Sequence, residues 1–392
     1  MRIRSSLIHI LVGGALLALA LYPVLSFGTG GHARAQSERL QVIATHSILA
    51  DVISNVAGEA ATVDSLMPLF ADPHAYTPTP QDLVRLASSD AVFVVGAGFE
   101  ENLSVTLDTM RDGVPIITAS LCVDILPFGA ADDHAEAETP APQADSPVAA
   151  QCDAHRAEIA ALMRQPQVPN EAESAGETLG PLYALDCGDA HNEEDGDHAH
   201  EAGSCDPHVW TDPHNAMLWA LMARDTLSEL DPAHADIYAA NTATYLEALR
   251  ALIEDEIQPL LANIPPENRV LVTNHVALNY FARAFDLRVI GTVLPGASTL
   301  AEPGAADLAR LIETIREAGV PAVFAETTAN PTLAEQVTRE TGARLYMLYT
   351  GSLSEPGGPA ATYLDYMRTN TRLIADALMP EDTCEPCTER RP

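Results

Sequence analysis

DPAHADIYAANTATYLEALRALIEDEIQPLLANI, residues 231–264, reads as one helix of some thirty residues. Such length is unusual inside a small domain and suits a rigid connector between two lobes. The chain on either side supports that reading. From Leu40, strand and helix alternate: LQVIATHS is β-rich, and ILADVISNVAG has apolar residues at helical spacing with Gly58 as a stop signal. TVDSLMPL reads as the next strand. TPQDLVRLASS reads as a helix opened by a Thr cap with Pro in its first turn, and DAVFVVGAG and PIITAS as further short strands.

Beyond the long helix a second set follows, with RVLVTNH, LRVIGTV, PAVFAET and ARLYMLY as strands. HVALNYFARAF, AADLARLIETIREAG and TLAEQVTRETG are its helices. Strands alternating with helices imply mostly parallel sheets covered on both faces. The expected fold is therefore α/β, with two α/β lobes joined by a long rigid helix. Ligands of such sheets lie beyond the carboxyl ends of the strands, so the expected site is the inter-lobe cleft.

Composition narrows the function. The 392 residues carry 21 Lys+Arg against 55 Asp+Glu, and every basic one is Arg. A formal charge of −34 repels phosphate backbones, which excludes nucleic acid as a partner and suits a protein that meets cations. Residues 1–35 read as an export signal: Arg2 and Arg4 precede an apolar stretch from Leu7 to Phe27, and Ala33-Arg34-Ala35 offers small residues for cleavage. The competing reading is a retained N-terminal membrane anchor. Either places the mature protein outside the cytoplasm, periplasmic or at the cell surface.

Disulfides are permitted there. Cys122, Cys152, Cys187 and Cys205 allow three pairings, among which sequence does not choose. Cys384 and Cys387 form CEPC in a polar tail with no βαβ unit around it, so a surface disulfide or two free thiols is expected there. The boundaries that follow are 36–128 and 205–230 for the first lobe, with an acidic, His-rich, largely disordered insert over 129–204. The connector spans 231–265, the second lobe 266–380 and the tail 381–392.

Three histidines stand out by position. His74, in ADPHAYTPTP, follows a strand and precedes a helix; His208, in CDPHVWTDP, lies where order resumes; His275 ends the first strand of the second lobe. Drawn from both lobes, they could converge in the cleft, and three neutral imidazoles suit zinc. Each alone could equally be a loop or capping residue.

DPHAYTPTPQDL, DPHVWTDPHNA, NHVALNYFARAF, VFAETT and LYTGSLSEPGGPAATYLDYMRTN resemble, in the same order, segments of the substrate-binding proteins of ABC-type zinc and manganese importers, the ZnuA/TroA-like group. The resemblance covers about Leu40–Asp124 and Asp206–Leu378. It implies two α/β lobes bridged by one helix, and capture of a divalent metal for delivery to an ABC permease. Carried over residue by residue, the family's ligands fall on His74, His208 and His275. Many manganese-type members have Glu at the third position, so His275 favours Zn2+, with Mn2+ as the alternative. The family's fourth ligand is usually an Asp in a Thr-Asp-Ser segment, where this chain reads Thr350-Gly351-Ser352. Glu326, a water, or a group from the insert are the candidates to replace it. Glu326 could instead accept a hydrogen bond from a ligand imidazole.

The remaining histidines divide. His191, His198 and His200 lie in HNEEDGDHAHE, which resembles the His/Asp-rich loop of many zinc members and would gather ions weakly near the cleft. His134 and His155 also fall in the insert. His46 is expected in the core or at its rim, His214 in a local role or none, and His234 at the surface. The glycines of VVGAGFE, lacking a third glycine, are expected to let a turn pass close to the cleft rather than bind a nucleotide. A zinc hydrolase, with Glu326 as base, and an adhesin or zinc buffer without a permease are the competing functions. The protein is expected to be a monomer and not an enzyme.

Overall fold

A computed structural model describes residues 39–110, 113–126, 147–164, 205–296 and 298–380. The first lobe is a parallel sheet of β1 (Leu40–Ala44), β2 (Ala61–Ser65), β3 (Ala91–Val94) and β4 (Ile116–Thr118), in the order β2-β1-β3-β4. β3 is buried throughout, as a strand covered on both faces must be. Helices α1 (Ser47–Ala57), α2 (Pro80–Ser88) and α3 (Ser104–Met110) connect these strands. The expected cap of α2 forms: Thr79 Oγ1 accepts from Asp82 N, and Asp82 Oδ2 accepts from Thr79 N in return. Gly58 ends α1 at φ 55°, where an added Cβ would fall 2.5 Å from Asn241 Nδ2.

Within the insert one segment is described. Residues 147–162 form helix α4 (Pro147–Leu162) rather than unstructured chain. Its buried residues Cys152, His155 and Ile159 fall on one helical face, and Cys152 is disulfide-bonded to Cys122 at the end of the first lobe. His155 Nε2 sits 2.7 Å from Asp225 Oδ2 and Arg156 donates to the Cys122 carbonyl, so the helix is docked as well as cross-linked. Cys205 is also in a disulfide. The signal segment, the CEPC tail and the loop holding His134, His191, His198 and His200 lie outside the described residues.

Helix α5 (Pro213–Leu230) is buried over most of its length and turns at Asp231 into the long helix. That helix begins as α6 (Ala235–Ala251), widens over Leu252–Ile257 and ends as α7 (Gln258–Leu261). The run is roughly 27 residues, or about 40 Å at the α-helical rise. Its first part packs on α1 and α5, and its end on α11 (Tyr363–Leu378) of the second lobe. Arg250 is buried in this helix and is held by Glu247 and Glu254.

The second lobe repeats the first. Its strands β5 (Val270–Thr273), β6 (Arg288–Thr292), β7 (Ala322–Glu326) and β8 (Arg344–Leu348) are all parallel, in the order β6-β5-β7-β8. The connecting helices are α8 (Asn279–Ala284), α9 (Ala305–Ala318) and α10 (Thr332–Thr341). α9 and α10 stop at Gly319 and Gly342, both left-handed. In each sheet the strand order reverses between the first and third strands of the lobe, the position where open α/β sheets leave a crevice. One continuous core runs from β1 through the long helix to α11, and a smaller one around Val270, Val323 and Ile312 fills the outer face of the second sheet. Among the described residues no helix is long and apolar enough to cross a membrane.

Candidate metal centre

Two of the three histidines are set by the same local device. In Asp72-Pro73-His74, Asp72 Oδ1 accepts from the His74 backbone N at 3.0 Å, and Asp206 Oδ1 does the same for His208 at 3.0 Å. The proline fixes its own φ while the aspartate closes the turn, which holds the imidazole beyond the loop. A third copy, Asp212-Pro213-His214, closes identically at 2.9 Å but serves as the start of α5. His214 Nδ1 turns back to Asp212 Oδ1 at 2.7 Å, and His214 is not among the histidines that converge in the cleft.

His275 comes from the crevice of the second lobe. It follows β5 at the point of strand-order reversal, and Glu326 ends the neighbouring β7. The structure brings His74, His208 and His275 together, with their potential ligand atoms all within 4.8 Å of one another. His208 Nε2 stands 3.3 Å from His74 Nε2 and 3.0 Å from His275 Nε2.

The far side of the rings decides what those nitrogens can do. His208 Nδ1 donates to Asp206 Oδ1 at 2.9 Å, and His275 Nδ1 donates to Glu326 Oε1. Glu326 Oε2 accepts from Thr350 Oγ1 at 2.7 Å. Both carboxylates are buried. With each Nδ1 proton donated to a carboxylate, the Nε2 atoms of His208 and His275 face one another; burial lowers His275, but Glu326 outweighs it and raises that ring above the usual range, so its Nε2 ligates once it gives up a proton. Burial, then the neighbouring His208 and His275, holds His74 well below the usual histidine range. Burial also lowers His208, outweighing the opposing effect of Asp206. Burial works against charge on Glu326 too, yet His275 and Thr350 keep its carboxyl below the usual range and therefore ionised. Converging ring nitrogens backed by two carboxylates can hold a cation.

Both oxygens of Glu326 thus accept hydrogen bonds, one from His275 and one from Thr350. Gly351 lines the same cavity. A Cβ added there would fall 2.9 Å from Pro73 Cγ and 3.1 Å from its Cδ, so the first-lobe loop occupies the space an aspartate would need.

Around the histidines the two lobes are tied together. Thr299 Oγ1 donates to Asp72 Oδ2 at 2.6 Å, and Trp210 Nε1 donates to the Thr350 carbonyl at 2.8 Å. His46 is in the core, as expected, with its ring 4.8 Å from Trp210 and 5.0 Å from Phe99. Burial, then His208, pushes it down to about 3, so it stays neutral. His234 is at the surface and partly exposed, its Nδ1 pairing with Asp231 Oδ2 at 2.6 Å at the turn into the long helix. Sequence reasoning did not single out Asp206, Trp210, Thr299, Thr328 or Thr350. Only Asp206 carried a signal, the repeated Asp-Pro-His triplet.

A family model, ZnuA, described as the periplasmic zinc-uptake complex component A, matches residues 42–377. Among curated relatives, the manganese-binding lipoprotein MntA of Halalkalibacterium halodurans is 27% identical over 342 residues, covering 87% of this chain and 89% of that protein. The iron-binding protein YfeA of Yersinia pestis is 27% identical over 371 residues, covering 92% and 96%. The fold is similar to that of the periplasmic zinc-binding protein TroA from Treponema pallidum, with a TM-score of 0.63 at 21% identity, covering 88% of this chain and all of that one. A manganese-bound periplasmic metal-binding protein from Candidatus Liberibacter asiaticus gives the same score at 24% identity, covering 87% of this chain and 100% of that one.

Proposed function

The chain belongs to the ZnuA family of substrate-binding proteins of metal ABC transporters, and on that premise we propose that it captures zinc through His74, His208 and His275 and hands it to a membrane permease. The family is one of binding proteins rather than enzymes, and its members act outside the cytoplasm. One observation carries the choice of ligands: three imidazoles present Nε2 to a common point, and two have their Nδ1 protons committed to buried carboxylates.

The spacing suits a small tetrahedral ion. With Zn–N bonds of about 2.05 Å, neighbouring ligands of a tetrahedron stand about 3.3 Å apart; His208 meets this with His74 and His275 at 3.3 and 3.0 Å, and all three lie within 4.8 Å of one another. A captured ion exchanges most of its water for nitrogen donors, of which His74 and His208 are kept neutral by burial while His275, raised by Glu326, gives up a proton, so binding weakens in acid. The charges of Asp206 and Glu326 behind the rings balance its own. His191, His198 and His200 would collect ions weakly ahead of this site.

Manganese is the second reading, favoured by relatives named for manganese and iron. Against it stands the donor set, because manganese prefers carboxylate and water and the three ligands here are all nitrogen. Competition against a chelating dye measures both ions. We expect one tight zinc per chain, abolished by His275→Ala, and manganese weaker by at least about a hundredfold, following the usual order of divalent affinities. Comparable affinities would reverse the assignment, and zinc binding that survives His275→Ala would sink the ligand set.

A further inference from the structure

Beyond the three histidines, a second set of soft donors lies where α4 meets the first lobe. Cys122 and Cys152 are bonded to each other, and both are buried. One turn along α4 from Cys152, His155 is buried as well and turns its Nδ1 to Cys122 Sγ at 4.0 Å. Its other nitrogen is committed: Nε2 donates to Asp225 Oδ2 at 2.7 Å. Gln151 and Arg224 donate to the same carboxylate and fix it in place. A carboxylate on the far nitrogen is how metal-bound imidazoles are commonly oriented. Around a tetrahedral zinc, sulfur and nitrogen ligands stand about 3.6 Å apart, and two sulfurs about 3.8 Å. The first spacing is nearly present. The second needs only side-chain rotation once the sulfurs part, since the two Cα atoms are 5.0 Å apart.

We propose that Cys122, Cys152 and His155 form a second, redox-gated site for a soft divalent cation such as zinc, closed while the disulfide stands and open once it is reduced. A dithiol gives two electrons and two protons to the Cys122–Cys152 bond and leaves as its own disulfide. The ion then displaces the two thiol protons and binds both sulfurs and His155 Nδ1. Oxidation by a disulfide-bearing oxidant takes the two electrons back, re-forms the bond and expels the ion. Two thiolates neutralise a divalent cation, so the loaded site adds no net charge to a buried position. α4 buries only Cys152, His155 and Ile159, so undocking this one helix exposes the bond to reductant. The helix is thus held to the first lobe by a covalent bond in one state and by a metal in the other.

The test uses the whole chain with Cys187, Cys205, Cys384 and Cys387 replaced by serine, a phosphine reductant, and Co2+ as the probe. Thiolate-bound Co2+ absorbs in the near ultraviolet by charge transfer from sulfur and histidine-bound Co2+ does not, so the two sites are read apart. Reduction should bring a saturable charge-transfer band that zinc abolishes and that the oxidised chain lacks. Asp225→Asn should weaken zinc at this site by about tenfold and His155→Ala by more, while Cys122→Ser/Cys152→Ser removes the band. Should the four-serine chain fail to fold, the reduced wild-type spectrum minus that of Cys122→Ser/Cys152→Ser gives the same band. A disulfide that withstands the reductant in the folded chain overturns the proposal. So does a reduced chain with both thiols counted and no band, or a band and zinc affinity unmoved by His155→Ala. His275→Ala leaves the band in place, so failure here and failure of the three-imidazole reading are told apart.

Discussion

Replacing Glu326 by glutamine removes one charge and keeps nearly all of the shape. The amide oxygen can still accept from His275 Nδ1, and the amide nitrogen can face Thr350 Oγ1. What changes is the field that reaches the ion through the imidazole. Carboxylate and cation would stand roughly 6–7 Å apart, and at an effective dielectric of about 20 the attraction of −1 for +2 is about 5 kcal/mol. That is an upper bound, because solvent and the glutamine dipole return part of it. Loss of such a carboxylate partner typically costs 10- to 100-fold in metal affinity, or about 1.4–2.7 kcal/mol. The expected zinc Kd is therefore about tenfold higher in Glu326→Gln. It should approach a hundredfold in Glu326→Ala, which also frees the imidazole and leaves Thr350 without its acceptor. Chelator competition at neutral pH, with stoichiometry read from the same titration, measures both. A glutamine variant within about twofold of wild type would show that the charge does not reach the ion. One that loses stoichiometric binding outright would make Glu326 a direct ligand and refute its placement behind His275.

Three further outcomes are expected. The Cys122–Cys152 bond closes a loop of 30 residues, so Cys122→Ala/Cys152→Ala should lower unfolding free energy by about 3–4 kcal/mol on the chain-entropy estimate. Zinc affinity should hold, and a urea midpoint unmoved by the double substitution would show α4 to be held by packing alone. Deleting residues 188–204 should reduce the number of weakly bound zinc ions while sparing the tight one; loss of the tight site would end the division between gathering loop and built site. Burial, opposed by the Tyr363 backbone N–H and aided by Asp365, pushes Asp51 up to about 6. The native state then holds this proton more firmly than the unfolded chain, so stability falls as pH rises from about 4 to about 6, by at most about 3 kcal/mol. Asp51→Asn should lack that part of the slope when urea unfolding is compared at the two pH values, and parallel slopes would contradict the assignment.

Local signals carried most of the fold. Thr79 with Asp82, and Gly58, Gly319 and Gly342, mark helix ends in the sequence and do so in the structure. The connector was expected over 231–265 and its helix occupies Ala235–Leu261, because Asp231 to His234 form the turn that enters it. α4 was harder to see because its alanine-rich faces contrast weakly. The buried side that Cys152, His155 and Ile159 share becomes evident only against Cys122 and Asp225. The three histidines were legible because each sits at a loop or strand end. What lies around them was not. Glu326 is 51 residues from its partner His275, and Pro73 fills the space beside Gly351 across the cleft. Such pairings come from closure of the two lobes, which no spacing encodes.

The division of the three histidines between lobes has a mechanical consequence for the proposed capture. His74 and His208 belong to the first lobe and His275 to the second, with the long helix along both. Taking half of that helix as a lever of about 20 Å, a rotation of about 5° shifts the second lobe by nearly 2 Å. That is about the length of one metal–nitrogen bond. The displacement need not melt any secondary structure; it parts the Thr299–Asp72 and Trp210–Thr350 links and withdraws a single imidazole. The protein would then grip its ion with a bolt rather than a cage, and a partner that levers the lobes apart could draw that bolt with a small torque.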